Sequence, residues 1–76
     1  MSKQVEQPDA RALLAANVQR LRAEMALSQE KLAELAGFHR TYVSHIERCA
    51  TNATIDNIQK LAKVLHVPVA SLFTSS

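Results

Sequence analysis

The fold of this chain is decided by residues 29–48, which read QEKLAELAGFHRTYVSHIER. Ser28 can cap a helix at the start of this stretch, and Gly37, the only glycine in the chain, suits a left-handed helix end. We therefore predict one helix over residues 29–36 and a second from residue 39 or 40 to residue 48. Two helices joined by so short a glycine turn are typical of a helix-turn-helix, in which the helices cross at a steep angle.

Three further helices are predicted around this pair. Apolar residues repeat at helical spacing over residues 10–26, Thr54 can cap a helix over residues 55–65, and Pro68 suits the start of a short fifth helix. No stretch alternates as a strand does, so we expect an all-α chain with five short helices around one core. The predicted inward residues of the second and fourth helices are Leu32, Leu35, Ala36, Ile55, Ile58, Leu61, Ala62 and Leu65.

The length and composition indicate a single globular domain. The chain has 76 residues, of which 47% are hydrophobic, and we divide it into a flexible polar tail over residues 1–9 and a helix-turn-helix domain over residues 10–76. Its one cysteine excludes an internal disulfide, and no apolar run approaches the roughly 20 residues of a membrane span. We expect a soluble cytoplasmic protein without a membrane partner. The net charge of +2 is too small to indicate nucleic-acid binding by itself.

The second helix of the pair has one face made only of hydrogen-bonding groups. At about 100° per residue, its polar side chains fall within an arc of about 140°, and no carboxylate lies among them. Such groups suit base edges and phosphates, since arginine can fork onto guanine and a threonine methyl can touch a thymine methyl. The polar face comprises Arg40, Thr41, Ser44, His45 and Arg48, and the opposite face comprises Tyr42, Val43 and Ile46.

These residues resemble the helix-turn-helix domain of the phage repressor and Cro family of transcriptional regulators, also called the XRE family. The resemblance covers roughly residues 18–73 and rests on the motifs LSQxxLA, YVSxIER and VxxLF together with the glycine turn. Within the family, RTYVSHIER followed by ATIDNIQKLAKVL is most similar to restriction–modification controller proteins. The resemblance implies a five-helix, lambda-repressor-like DNA-binding domain and a sequence-specific regulator of transcription that binds double-stranded DNA.

The resemblance also implies roles for individual side chains. Base readout in the major groove would fall to Arg40, Thr41, Ser44 and His45. Contacts with the DNA backbone would come from Gln29, Tyr42, Arg48, Asn52 and Thr54, and Gln29 would also brace the recognition helix. Arg22 and Glu47 match a family ion pair between the first and third helices, for which we favour a structural role. Three positions depart from the family pattern: His39 replaces a capping Ser or Thr, and Cys49 and His66 replace glycines.

The fifth predicted helix is the expected surface for self-association. Its apolar residues exceed what so short a helix can bury unaided, although all of them could instead pack on the first and fourth helices. A twofold dimer would place two recognition helices about 34 Å apart on a near-palindromic operator. RNA polymerase is a further candidate partner, and we expect no cofactor. The predicted interface residues are Val67, Val69, Leu72 and Phe73.

Other functions are less well supported by the residues. His45 and Cys49 are four residues apart and could share a metal, but no second pair at zinc-finger spacing exists, so we expect no metal site. The carboxylates are scattered, and no base stands beside Cys49, so we expect no enzyme. The alternative is a protein-interaction or antitoxin-type helix-turn-helix module. Such a module would be expected to carry an apolar anchor on the polar face, and none is present.

Overall fold

A computed structural model describes residues 8–75 and contains four α-helices, a short 3-10 helix and no strand within that range. The all-helical prediction is therefore confirmed. The predicted fifth helix is a 3-10 helix, so the count of five α-helices is wrong by one. Of the predicted tail, residues 1–7 lie outside the described range. The elements are α1 (Ala10–Glu24), α2 (Gln29–Ala36), α3 (Arg40–Glu47), α4 (Ile55–Val64) and the 3-10 helix Val69–Phe73.

Side-chain caps define where three of the helices begin. Asp9 Oδ1 accepts a hydrogen bond from the backbone N–H of Arg11 at 3.0 Å at the start of α1. Ser28 Oγ and Thr54 Oγ1 accept backbone N–H groups at 2.9 Å and 3.1 Å at the starts of α2 and α4. Each such cap contributes about 1 kcal/mol. The α3 helix differs, since the side chain of its N-cap residue, His39, makes no capping hydrogen bond.

Left-handed residues end the helices and redirect the chain. Gly37 has φ +79° after α2, which confirms the predicted glycine turn. Ala26, Cys49 and His66 also have positive φ, at +55°, +60° and +58°, after α1, α3 and α4. A residue with a Cβ in this conformation costs about 1–2 kcal/mol relative to a right-handed one. The chain therefore makes left-handed turns at Cys49 and His66, two positions where the sequence resemblance led us to expect glycine.

A single core lies between all five elements. Ala33 is buried on α2 beside Leu32, whereas Leu35 is 51% exposed, so the prediction that Leu35 faces inward is wrong. The reason is the rotation between successive residues of a helix. Ala36 lies near the middle of the buried stripe of α2, and Leu35 points about 100° away from it. Ile55, the first residue of α4 after the N-cap, is 79% exposed, so the prediction that it faces inward is also wrong. The fully buried large side chains are Val18, Leu32, Val43, Leu61 and Leu72.

The 3-10 helix is anchored to α1 and closes the core. Leu72 is 0% exposed, so it cannot present its side chain to a second copy, and its assignment to the dimer interface is corrected. Val67 and Phe73 are half-buried and pack against the core, whereas Val69 is 37% exposed. The buried amide of Asn17 donates to the backbone oxygens of Leu72 and Thr74, both at 3.0 Å. These bonds fix the 3-10 helix against α1.

Candidate nucleic-acid interface

The polar face of α3 is accessible to solvent, and its side chains make no hydrogen bond within the part of the chain that the structure describes. Val43 and Ile46 are buried on the opposite face, which fixes the rotation of the helix. Arg40, Thr41 and Arg48 are exposed, and Ser44 and His45 are half-buried. Within residues 8–75, none of these five side chains hydrogen-bonds to another protein group. Two guanidinium groups, two hydroxyls and an imidazole are therefore available to an external ligand.

The carboxylate of Glu47 fixes α3 against the helices that pack behind it. Arg22 on α1 donates to it from Nε to Oε2 at 2.7 Å and from Nη2 to Oε1 at 3.0 Å. The same guanidinium donates from Nη1 to the Leu27 oxygen at 2.9 Å. Gln19 adds a bond from its amide to the backbone oxygen of Glu47 at 2.8 Å. Because Glu47 is only 6% exposed, this network sets the position of α3 against α1.

The ion pair also favours the protonated form of Arg22. Its hydrogen bonds with Glu47 and the attraction to that carboxylate raise the pKa of the Arg22 guanidinium, while partial burial opposes the shift. A folded-state pKa above the unfolded-state value gives stability that is fully present below the unfolded value and lost as pH rises through the folded one. This contribution therefore disappears only in strongly alkaline solution.

Gln29 belongs to the hydrogen-bond network around the Glu47 carboxylate, which braces α3, and does not lie on an open surface. Its Nε2 donates to Glu47 Oε1 at 2.9 Å, so two side chains, one from α1 and one from α2, converge on a single carboxylate of α3. The sequence predicts both a brace and a DNA-backbone contact for this residue. The geometry shows the bracing contact, and the contact with the DNA backbone stays a prediction.

The loop between α3 and α4 holds two of the predicted backbone-contact residues beside an additional cation. Asn52 is exposed, and its Oδ1 accepts hydrogen bonds from Arg11 Nε at 2.8 Å and from Arg11 Nη2. The Thr54 hydroxyl oxygen caps α4 and leaves its own proton free to donate outward. Sequence reasoning missed Arg11, because no local pattern joins residues 41 positions apart.

Tyr42 lies on the flank of α3 rather than on its polar face. Its ring meets Phe38 edge-on, with centroids 4.9 Å apart and an interplanar angle of 71°. Its hydroxyl accepts a hydrogen bond from Asn57 Nδ2 at 3.0 Å. Asn57 was not among the predicted site residues, and its side chain ties α4 to α3.

The described part of the chain shows neither a metal-binding group nor a membrane-spanning helix. No three His, Cys, Asp or Glu side chains within residues 8–75 cluster closely enough to hold a metal ion. None of the helices described combines the length and the apolar character that crossing a bilayer requires.

Comparison with known proteins places this site in context. The family described as helix-turn-helix matches residues 18–72. The control protein C.SmaI of Serratia marcescens is 44% identical over 66 residues, covering 87% of this chain and 79% of that protein. The restriction–modification controller protein C.AhdI of Aeromonas hydrophila has a similar structure, with a TM-score of 0.80 and 38% identity over 83% of this chain and 96% of its own. The biofilm master regulator SinR, solved in complex with DNA, gives a TM-score of 0.75 and 35% identity over 80% of this chain and 98% of its own.

Proposed function

This chain belongs to the helix-turn-helix family of DNA-binding transcriptional regulators, and from that premise we propose that it acts as a homodimer on a near-palindromic operator. The observation that carries the proposal is the open polar face of α3, braced from behind by Arg22 and Glu47. When contacts on one face fix the position of a helix and the opposite face carries free donors, the helix can enter a major groove without rearranging.

Four side chains on α3 read bases in this proposal. Arg40, at the first turn, forks onto the O6 and N7 acceptors of a guanine, and Thr41 brings its methyl group to a thymine methyl. Ser44 and His45 lie one turn further along, where a hydroxyl and an imidazole reach base edges or nearby phosphates. The absence of a carboxylate on this face of α3 supports the proposal, because a carboxylate would repel the phosphates on both sides of the groove.

Five other side chains contact the sugar–phosphate backbone in this proposal and fix the register on the duplex. Arg48 stands at the exposed C-terminal end of α3, where its guanidinium pairs with no carboxylate among residues 8–75. Asn52 and Thr54 lie in the following loop, beside the Arg11 guanidinium, which adds positive charge there. Gln29 and Tyr42 complete the set from α2 and from the flank of α3.

Dimerisation in this proposal uses the end of the molecule that carries the 3-10 helix. Val69 is exposed there, and Val67 and Phe73 are half-buried and keep part of their apolar surface. A twofold axis near these residues would place two α3 helices on successive major grooves, about 34 Å apart. Leu72 supports this surface from inside the protomer.

We assign regulation to promoter occupancy in the cytoplasm, without catalysis. The similarity to two restriction–modification controllers supports a controller-type regulator. Its output would then follow protein concentration, because a dimer forms and binds more completely as concentration rises. Occupancy represses by blocking RNA polymerase, whereas activation would require a contact between polymerase and the bound dimer.

Selection of binding sites from a random duplex library at near-physiological salt tests the proposal. We expect enrichment of a near-palindrome whose half-sites lie one helical turn, about 10 base pairs, apart. The control is the variant Arg40→Ala/Thr41→Ala, which should lose the consensus while keeping weak, salt-sensitive binding. Weak binding without a consensus by the unmodified chain would contradict the proposal and favour a protein-binding module instead.

A further inference from the structure

A shallow cavity flanks the N-terminal end of α3, next to the base-reading face. It lies between the α2–α3 turn, one side of α3 and the first half of α4. His39, Asn57 and Lys60 have no role in the DNA contacts proposed above. The cavity is lined by Gly37, Phe38, His39, Tyr42, Asn57 and Lys60.

Lys60 provides a cation at this cavity that no carboxylate of the described residues neutralises. Its Nζ lies 5.8 Å from the centroid of the Phe38 ring, an arrangement in which the ring face attracts the ammonium group. Phe38 is itself held edge-on by Tyr42, so the aromatic pair keeps the lysine near α3. Asp56 stands one turn earlier on α4, yet no salt bridge joins it to Lys60 within the described chain. The charge of Lys60 is therefore available to an anion.

The hydrogen bond between Tyr42 and Asn57 leaves donors for an anion. Asn57 Nδ2 donates to the Tyr42 hydroxyl oxygen at 3.0 Å. Because that oxygen accepts, the phenolic proton is left to donate elsewhere, and the Asn57 amide keeps its second N–H. Both groups line the same cavity as Lys60.

The start of α3 adds further donors at the rim of the cavity. His39 is the N-cap residue and its side chain caps no backbone N–H, so the first turn of α3 has no side-chain acceptor from that residue. Free backbone N–H groups at a helix start favour anions. The His39 imidazole is exposed and can donate an N–H as well. Every polar side chain around the cavity can thus donate a hydrogen bond, and none is a carboxylate.

We propose that this cavity binds one phosphodiester group of the DNA backbone in each half-site, with Lys60 as the cation. The proposal rests on the function proposed above, because the cavity adjoins the α3 face that would enter the major groove. Arg40 follows His39 directly in the chain, so a phosphate at the groove edge would lie within reach of this donor set. A phosphate matches the site because it carries one charge and several acceptor oxygens.

Salt-dependent binding of the full chain to DNA tests the proposal. Lys60→Gln removes the charge and keeps most of the side-chain length, and Lys63→Gln is the matched control on the next turn of α4. Lys63 is exposed and does not line the proposed phosphate site, although it shares a second, neighbouring cavity with Lys60. Affinity is measured against salt for a duplex bearing the selected site and for a random duplex. Thermal melting checks that both variants remain folded.

We expect Lys60→Gln to lower affinity for both duplexes by the same factor. The slope of log affinity against log salt should flatten by about 0.9 for each phosphate that Lys60 no longer neutralises. Lys63→Gln should leave the slope unchanged. Ethylation of one phosphate per half-site should weaken the unmodified protein but not Lys60→Gln.

The outcomes separate this site from the function on which it rests. If the unmodified protein selects a consensus but Lys60→Gln matches Lys63→Gln, the phosphate site is overturned and the proposed function stands. Equal flattening by both variants would indicate a diffuse positive field and would also overturn the site. If no consensus emerges but Lys60→Gln alone flattens the slope on random DNA, the proposed function fails and the phosphate site stands.

Discussion

Arg22 and Glu47 are 25 positions apart in the chain and meet through two parallel hydrogen bonds, at 2.7 Å and 3.0 Å. The contact joins α1 to the last residue of α3, and Gln29 adds a third bond to the same carboxylate from α2. One carboxylate thus receives hydrogen bonds from both α1 and α2. The position of the base-reading face depends on this contact, although neither Arg22 nor Glu47 lies on that face.

Replacing Glu47 with alanine should destabilise the fold by about 3 kcal/mol. The change leaves the Arg22 guanidinium without its carboxylate, and breaking a buried pair from one side costs about 3–5 kcal/mol. The lower end applies because the Arg22 side chain is 22% exposed. Urea unfolding followed by circular dichroism measures the loss. DNA affinity should fall mainly through the fraction of protein that is unfolded, with a smaller further loss because the folded fraction no longer has the contact that positions α3.

Glu24→Ala provides the control for this prediction. Glu24 pairs with Arg20 at 3.1 Å on the surface, with both side chains largely exposed. An exposed pair of this kind contributes about 0–1 kcal/mol. Equal losses in the two variants would show that the Arg22–Glu47 contact has no special place in the stability of the chain.

The helix-turn-helix itself could be predicted because its signals are local. The ends of α2 lie at Ser28 and Gly37, and the start of α4 lies at Thr54, as the side chains or backbone of these residues indicate. The polar face of α3 follows from spacing alone, since eight residues on a helix have fixed relative angles. Local chemistry was sufficient for these features.

The features that could not be predicted depend on contacts between distant segments. The Arg11–Asn52 bond and the placement of Lys60 over Phe38 each join a helix to a distant loop or turn, and they leave no periodic pattern in the sequence. Leu72 is apolar, and an apolar residue at this position is compatible with either a dimer surface or a core. Only the packing of the 3-10 helix on α1 distinguishes the two, and it buries Leu72.

Glycine substitutions should have opposite effects at two alanines near each other in the chain. Ala26 is exposed with φ +55°, so Ala26→Gly removes a strained Cβ and should stabilise the protein by up to about 1 kcal/mol. Ala16 is exposed within α1, where Ala16→Gly should cost about 1 kcal/mol. Thermal unfolding of the two variants measures both. The same sign for both would show that unfolded-state entropy, rather than backbone strain at position 26, controls the outcome.

Arg40→Ala should change the specificity of DNA binding as well as its strength. Loss of a forked guanine contact costs about 1–3 kcal/mol on the preferred site. The preference at one base position in each half-site should relax, while binding to random DNA changes little. Competition binding with single-base variants of the selected site measures this. An equal loss on every sequence would instead make Arg40 a phosphate contact.

Val69→Lys should weaken the proposed dimer without unfolding the protomer. Val69 is the exposed member of the four predicted interface residues, so a charge there meets water in the monomer and apolar surface in the dimer. Sedimentation analysis across a concentration series should show dissociation at higher protein concentration than for the unmodified chain. Operator binding should shift to higher concentration in the same proportion, because each half-site contact is intact.

Leu72→Ala separates this effect from a loss of folding. Leu72 is fully buried, and truncating a buried leucine to alanine costs about 2–5 kcal/mol of folding stability. Any loss of dimer in this variant should therefore follow the fraction unfolded, whereas the loss in Val69→Lys should occur with unchanged helicity. If Val69→Lys dimerises as the unmodified chain does, then the two copies meet through a different surface.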